Sequence, residues 1–263
     1  MIVVVGGSGM LGKPLVEDLL AEGETVRVVA RDTDRARSLF DDAVEVVHGD
    51  VRDRDSMRAV VAGADVVVST MHGFLGGRGA GPSEVDERGN ANLVDAAAAA
   101  SSSMVLMSIA GASPDHPVDL FRAKYAAEQY LRASGVPWTI VRAPAYRELW
   151  LRLLSETAGD SGRPLIFGRG EQPIPFASVV DVASVVTRAA LDPDQRGRLI
   201  EVPGEPMTMK ELARGLKAER GWTGSPRHVP RAALRVLSVV ARPVNPAFAR
   251  QSLSALMMDT RGG

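Results

Sequence analysis

The stretch that decides the fold is the beginning of the chain, where the apolar run Ile2–Val5 leads directly into Gly6-Gly7-Ser8-Gly9-Met10-Leu11-Gly12. The glycines have G-x-x-G-x-x-G spacing between a predicted strand and a predicted helix. Glycine permits a tight turn with positive φ and lets the backbone approach a pyrophosphate, which helix N-terminal N–H groups bind. This context predicts a dinucleotide site; the alternative is a purely structural turn. Its expected members are Gly6, Ser8, Gly9, Met10, Leu11 and Gly12.

Short apolar runs alternate with helical segments through the first half of the chain. The predicted strands are Ile2–Val5, Thr25–Ala30, Val44–His48, Asp65–Ser69, Met104–Ser108 and Trp138–Val141. The predicted helices are Met10–Glu22, Asp34–Phe40, Asp55–Ala62, Glu84–Ala100 and Leu120–Ser134. The strands are apolar throughout, as expected when both faces of a sheet are covered. Repeated βα units of this kind predict a Rossmann-like α/β fold with a doubly wound parallel sheet.

The second half of the chain has a looser pattern, since prolines and glycines interrupt it after Arg142. Helices are predicted over Val179–Leu191, Met209–Arg220 and Arg231–Ala241, and a strand over Leu199–Val202. We expect a dinucleotide-binding core over residues 1–145 and a smaller, mixed substrate-binding lobe over 146–263. The lobe is expected to pack on the same core, so that the chain forms a single structural domain.

The composition excludes several classes of protein. The 31 basic and 32 acidic residues leave a net charge of −1, which provides no basic surface for nucleic acid. Cysteine is absent, which excludes disulfides and thiolate chemistry and fits a reducing cytoplasm. We find no signal-peptide pattern and no membrane-spanning apolar run, and we expect no metal. The expectation is a cytoplasmic monomer or homodimer that acts on a small molecule, without a membrane or nucleic-acid partner.

Arg31 at the end of the second strand bears on the choice of cofactor. It lies nineteen residues after Gly12, where an NAD-binding fold usually has a carboxylate for the ribose. A guanidinium there can bind a 2′-phosphate through two hydrogen bonds, so NADP(H) is expected in preference to NAD(H). Asp32 complicates this expectation, because its carboxylate could turn inward and reject the phosphate. Alternatively, Arg31 is simply an exposed residue at a strand end.

Other side chains follow the third and fourth strands, at the edge where open α/β sheets bind ligands. Asp50 could accept a hydrogen bond from the adenine amino group, and Val51 could pack on the ring. His72 can titrate near neutrality and could contact substrate, although a lone loop histidine more often caps or is solvated. The residues expected along the cofactor at this edge are Asp50, Val51, Ser69, Thr70 and Met71.

With these motifs, the chain resembles the atypical short-chain dehydrogenase/reductase superfamily, in its NmrA-like branch, which is similar to isoflavone reductases. The resemblance covers roughly the whole chain. Besides the glycine motif, it rests on Val28–Asp32, Gly49–Val51, Lys124 with Glu128, Gly135–Arg142, Pro175–Ala183 and Pro203–Glu205. It implies that Lys124 hydrogen-bonds the nicotinamide ribose and can serve as the proton-transfer group. The alternative is a solvated lysine, but the chain has only four lysines and tends to use arginine elsewhere.

The chain departs from the superfamily at the catalytic pair. Typical members place Tyr-x-x-x-Lys on one helix face, where the lysine lowers the tyrosine pKa. No such pair exists here, and if Lys124 is the matching lysine, Leu120 occupies the tyrosine position. The usual serine after the fifth strand matches Ala110, with Ser108 nearby.

The substrate side is expected in the second half, where Tyr146 and Trp150 are at helical spacing and Phe176 could join them. Each of these three could equally be a core residue. The leading hypothesis is an NADPH-dependent reductase of a small hydrophobic carbonyl, enone or quinone. The alternatives are a cofactor-binding sensor without turnover and a non-redox isomerase or cyclase. The missing Tyr-x-x-x-Lys pair favours a sensor and the retained Lys124 favours a reductase, so enzymatic activity stays open.

Overall fold

The computed structural model describes residues 1–261, which form twelve strands and ten α-helices. The strands are β1 Ile2–Val5, β2 Val26–Ala30, β3 Glu45–His48, β4 Val66–Ser69, β5 Ser103–Ile109, β6 Trp138–Ala143, β7 Ala145–Tyr146, β8 Leu165–Phe167, β9 Ile174–Ala177, β10 Arg198–Glu201, β11 Glu205–Met207 and β12 Arg227–Val229. The helices are α1 Gly12–Ala21, α2 Thr33–Phe40, α3 Arg54–Val61, α4 Asn90–Ala99, α5 Asp119–Ala133, α6 Arg147–Ala158, α7 Val179–Leu191, α8 Met209–Arg220, α9 Arg231–Val240 and α10 Pro246–Arg261.

A seven-stranded parallel sheet forms the centre of the fold, in the order β3-β2-β1-β4-β5-β6-β10. β1 lies between β2 and β4, and Val4 pairs with Val28 on one side and Val68 on the other. All six strands predicted for the first half are present. The Rossmann-like α/β fold with a doubly wound parallel sheet is therefore confirmed.

The strands are apolar because helices cover both faces of this sheet. On one face, Val3, Val67 and Leu106 pack with Leu93 of α4 and Leu131 of α5, and all five side chains are fully buried. On the other, α1 and α7 pack against each other. Burial of each such side chain contributes about 1.5–3 kcal/mol, so this core holds the carboxyl ends of β1 and β4 in fixed register.

The chain divides into two compact units. The first comprises residues 1–143 and 179–202, and the second comprises 144–178 and the described residues from 203 onward. The expected boundary at 145 lies close to the first crossing between units. Residues 179–202, which we expected in the second lobe, return to the first unit because β10 pairs with β6 in the central sheet.

The second unit has two small sheets, β11-β9-β7 and β12-β8. Its core contains Leu154, Ile166, Phe176 and Leu212, all nearly or fully buried. None of the helices in residues 1–261 of either unit combines the length and the hydropathy needed to cross a bilayer.

Candidate functional site

The glycine turn after β1 folds back on itself and lies against the end of β4. Gly6 has φ of +91°, and a Cβ there would lie 2.9 Å from Thr70 Oγ1. A Cβ at Gly12 would lie only 2.3 Å from the carbonyl oxygen of Gly6. The Gly9 N–H donates to the same oxygen at 2.9 Å. Of the three motif glycines, only Gly6 has positive φ. The expectation of positive φ therefore holds at Gly6 alone. At Gly12 a side chain would clash with the backbone of Gly6 and Gly7.

The outer side of the turn has room for a ligand. Gly9 is exposed, and within residues 1–261 a Cβ there would meet only Gly6 O, at 3.1 Å. In the same part of the chain, no side chain caps the N-terminus of α1. Ser8 and Met10 are half-buried and the Leu11 side chain is buried, so Leu11 can contribute only main-chain groups. An open turn at an uncapped helix N-terminus fits a pyrophosphate.

Two arginines, Arg31 after β2 and Arg52 after β3, both influence the Asp50 carboxylate. Arg31 is exposed. The carboxylate of Asp32 accepts the Arg35 N–H at 3.0 Å, at the start of α2. Asp50 accepts from Arg52 Nε at 2.9 Å and Nη2 at 2.5 Å. These hydrogen bonds lower the pKa of Asp50 to about 2, against the effect of burial, and Arg31 adds to the lowering. The Asp50 carboxylate is thus hydrogen-bonded to Arg52, a residue that was not part of the predicted site.

Val51 is a core residue, 9% exposed. Its side chain lies 2.7 Å from the point where a Cβ of Gly89 would be, so glycine permits this close contact. Its carbonyl oxygen accepts from Asn92 at 2.8 Å. Val51 therefore packs against the start of α4, whereas we expected it along the adenine ring.

The end of β4 is held from inside the fold. Ser69 is fully buried and donates to Asn90 Oδ1 at 2.7 Å, and Asn90 donates to the main-chain oxygen of Asp86 at 2.6 Å. Thr70 Oγ1 donates to Val5 O at 3.1 Å. Asp86 lies in a π-helical segment, Ser83–Gly89, that leads into α4. The Ser69 side chain thus positions the strand end.

Lys124 is buried and bound to three oxygen atoms. Its Nζ donates to Met71 O at 2.9 Å and to Met107 O at 3.0 Å, and lies 3.0 Å from Asp86 Oδ1. The side chains of Lys124 and Asp86 are 6% and 0% exposed. The other Asp86 oxygen accepts the Gly73 N–H at 2.7 Å. Lys124 is therefore not a solvated helix lysine, and with Asp86 it fixes the main chain on both sides of His72.

His72 itself lies between these two anchored residues, and it reaches solvent although protein atoms surround part of its ring. Within residues 1–261 its ring has no hydrogen bond. Displacement of water by the surrounding protein lowers the pKa of His72; the charge of Asp86 opposes this effect, and Lys124 adds to it. An imidazole with a lowered pKa, on a fixed backbone and in reach of solvent, can exchange hydrogen bonds with a small ligand.

A second buried charge follows one turn later on α5. Glu128 is fully buried and accepts from Ser108 Oγ at 2.5 Å and from Arg142 at 2.9 and 2.7 Å. Glu128 raises the pKa of Arg142 through these hydrogen bonds. The Ser108 hydroxyl is thus engaged inside the fold, and Leu120, at the position of the superfamily's tyrosine, is a buried apolar residue.

The other three predicted substrate contacts lie in the second unit, whereas His72 lies in the first. Phe176 is 2% exposed and belongs to the core. Trp150 packs beside that core and lines a cavity of about 10 Å³, room for one water molecule. Tyr146 is half-buried, and burial raises its pKa, so its phenol stays protonated.

Sequence reasoning missed Asp86 and Asn90, the two side chains that connect β4 to the helical segment. A signal for them was present. Asn90 precedes Leu93, Val94 and Ala97 by three, four and seven residues, and Asp86 lies four residues before Asn90, which places both on the buried face of a helix. A carboxylate on a buried helix face requires a cationic or hydrogen-bonding partner.

Comparisons with known proteins agree with this architecture. A model of the NmrA-like family matches residues 1–256. An NAD(P)H azoreductase of Xenophilus azovorans is 28% identical over 223 residues, covering 84% of this chain and 74% of that protein. A (4-alkanoyl-5-oxo-2,5-dihydrofuran-3-yl)methyl phosphate reductase of Streptomyces griseus is 31% identical over 216 residues, covering 80% and 71%.

Solved structures share the fold over nearly the whole chain. The triphenylmethane reductase of Citrobacter sp., complexed with NADP(H), has a TM-score of 0.77 at 21% identity and covers 99% of this chain and 90% of that one. An NADPH-dependent quinone oxidoreductase of Escherichia coli, complexed with NADPH, has a TM-score of 0.76 at 20% identity, with coverage of 99% and 92%. At this level of identity the likeness establishes the fold.

Proposed function

The chain belongs to the NmrA-like family, and from this premise we propose that it is an NADPH-dependent reductase of a small hydrophobic carbonyl, enone or quinone. The two relatives named above are reductases, and one of them is an NAD(P)H azoreductase. This supports reduction as the reaction class. The proposed substrate class is the one that the sequence analysis favours.

One observation carries the proposal: the glycine turn and Lys124 belong to one connected edge of the sheet. Gly6 abuts Thr70 and the Met71 N–H, at 2.9 and 3.1 Å from its would-be Cβ. Met71 O then binds Lys124, and Gly73 binds Asp86. The group proposed to hold the pyrophosphate is therefore rigidly connected to the titratable groups proposed to act near the nicotinamide.

The residues of this edge fit NADPH. The open turn at Gly9 and the start of α1 would hold the pyrophosphate. Arg31 would bind the 2′-phosphate, since the Asp32 carboxylate hydrogen-bonds α2 and Arg52 neutralises Asp50. When bound, NADPH supplies the hydride.

Reduction of a carbonyl also needs a proton, which this chain must supply or relay. We propose Lys124 as that group, by resemblance to the family, and His72 as the second titratable group at the same edge. Because Lys124 already binds Met71 O, Met107 O and Asp86, its further role is to hold the segment that carries His72.

Calorimetric titration with NADPH and NADH tests the proposed cofactor. A charge-assisted hydrogen-bonded pair between Arg31 and the 2′-phosphate contributes about 1.5–3 kcal/mol, so NADPH should bind roughly 10- to 150-fold more tightly than NADH. Arg31→Ala should remove most of this preference. Arg37→Ala is the matched control, since Arg37 is an exposed residue of α2 that pairs with Asp34. Equal affinities of the unmodified protein for both cofactors would refute the Arg31 assignment.

A panel of quinones, enones and ketones, with NADPH oxidation as the readout, tests the reaction. A cofactor-binding sensor is the second candidate, favoured by Leu120 at the tyrosine position and by the fully engaged Lys124. A sensor would keep the Arg31-dependent preference for NADPH and would oxidise it with no member of the panel. Turnover with any member excludes the sensor.

A further inference from the structure

Exposed apolar side chains are concentrated on α9, on the turn after it and at the start of α10. In residues 1–261, eight large apolar side chains are exposed, and five of them lie between positions 236 and 248. Val244, in the turn between α9 and α10, is 86% exposed. We call these five residues the α9 patch: Val236, Val239, Val240, Val244 and Phe248.

The α9 helix carries apolar residues on both its buried and its exposed face, whereas an ordinary surface helix has polar residues on the exposed face. Leu234 packs on Ala255 and Leu256 of α10, and Ser238 is buried on the same inner face. The residues exposed at i, i+3, i+4, i+7 and i+8 spacing are Ala232, Arg235, Val236, Val239 and Val240. A contiguous outward stripe of this kind is typical of a binding face.

The sequence segment that carries the α9 patch has charged residues of a single sign. Residues 220–258 contain six arginines and no aspartate or glutamate. At the average frequency of the chain, with 32 acidic residues in 263, a stretch of this length would hold about five. The chain as a whole has a net charge of −1, so this segment is a local concentration of positive charge.

Two of these arginines border the α9 patch and are available to a ligand. Arg235 and Arg242 are both exposed, and neither has a carboxylate partner within residues 1–261. Arg242 Nε donates to Ser238 O at 3.1 Å, which leaves the rest of its guanidinium outward. By contrast, Arg231 at the start of α9 is paired with Asp259.

We propose that the α9 patch binds the surface of an anionic lipid bilayer. The valines and Phe248 would enter the boundary between headgroups and acyl chains, and Arg235 and Arg242 would pair with lipid phosphates. The expectation of no membrane partner was based on the lack of a spanning segment, whereas this contact needs only the surface of a bilayer.

The charge pattern favours a bilayer over other occupants. A twofold contact with a second copy through α9 would bring Arg235 near its own counterpart, and residues 220–258 offer no carboxylate to compensate. A nucleic acid would pair with the arginines but leave the valines exposed to water. The surface of an anionic bilayer, with phosphate charge above an apolar layer, matches both features.

Vesicle flotation with the full chain tests the proposal. We expect the protein to float with vesicles of phosphatidylcholine mixed with phosphatidylglycerol and to bind phosphatidylcholine vesicles much more weakly. Arg235→Gln should weaken binding to the mixed vesicles roughly fivefold, since a basic residue near such a surface contributes about 1 kcal/mol. Val239→Ser with Val240→Ser should weaken it with the charge unchanged.

The matched controls are Val180→Ser, at a valine of α7 that is 58% exposed, and Arg214→Gln, at an exposed arginine of α8. Both should bind like the unmodified protein, and thermal melts should show that all variants are folded. Equal binding to both kinds of vesicle, or binding to neither, overturns the proposal. So does a dimer seen by analytical ultracentrifugation that the double serine variant dissociates, because it would assign the α9 patch to self-association.

Discussion

Helix α5 carries two buried charges one turn apart, and they are held in different ways. Lys124 pairs with Asp86 and binds two main-chain oxygens, and both side chains are almost completely buried. Glu128 pairs with Arg142, whose side chain is 17% exposed, and accepts from Ser108. The first pair fixes the main chain at the open edge of the sheet, and the second connects α5 to β5 and β6.

This difference separates a role at the site from a role in the fold. Lys124 and Asp86 hold Met71 and Gly73, the neighbours of the exposed His72. Glu128 contacts Ser108 of β5 and Arg142 of β6, and neither belongs to the segment that carries His72. The two pairs should therefore cost similar stability when broken, while only the first should affect turnover strongly.

The largest effect is expected from Lys124→Met. Turnover should fall by roughly two to four orders of magnitude, the usual contribution of a positioned acid or base. The variant also leaves Asp86 buried without its counter-charge, so the free energy of unfolding should fall by about 3–5 kcal/mol. Rates of NADPH oxidation and denaturant unfolding curves measure the two effects.

A double variant separates chemistry from stability. Lys124→Met with Asp86→Asn removes the unpaired charge, and an amide oxygen can still accept the Gly73 N–H. Stability should largely recover while turnover stays low. Recovery of turnover together with stability would mean that Lys124 affects turnover only through the stability of the fold.

Glu128→Ala should lower the stability of the fold with little effect on turnover. It leaves Arg142 without its main partner, but Arg142 reaches solvent and lies 3.8 Å from Glu201. The loss of stability should therefore be near the lower end of the range, about 3 kcal/mol. Turnover per folded molecule should change less than tenfold, measured below the unfolding transition. A loss of turnover as large as that of Lys124→Met would join the two pairs in one catalytic unit.

The first βα unit could be predicted from sequence because its signals are local. The strand Ile2–Val5 was placed correctly, and the helix predicted from Met10 begins at Gly12. Apolar runs and glycines specify such elements without reference to the rest of the chain. The short strands of the second unit were not predicted, since they are two to four residues long, and β9 and β11 contain Pro175 and Pro206.

The two charge pairs could not be predicted, because the partners are distant in the chain. Lys124 was singled out by its rarity and by resemblance, but Asp86 lies in another helical segment, and only the packed sheet brings them to 3.0 Å. Phe176 and Val51 show a second limit of prediction from sequence. An apolar residue near a strand end gives the same sequence pattern whether it faces a ligand or the core. The structure places both in the core.

The smallest effect is expected from His72 and concerns the pH dependence of stability. Protein atoms around the ring lower its folded-state pKa below the ordinary 6.5, so the unfolded chain binds the proton more readily. The neutral ring leaves stability at its full value above about pH 6.5, and stability should decline as pH falls through that value toward the folded-state pKa. His72→Asn should flatten this part of the curve of unfolding free energy against pH, with an effect well below that of breaking either ion pair. Glu128→Ala should leave the slope in this window unchanged. A slope that persists in His72→Asn would place the titrating group elsewhere and would separate His72 from the Lys124 and Asp86 pair.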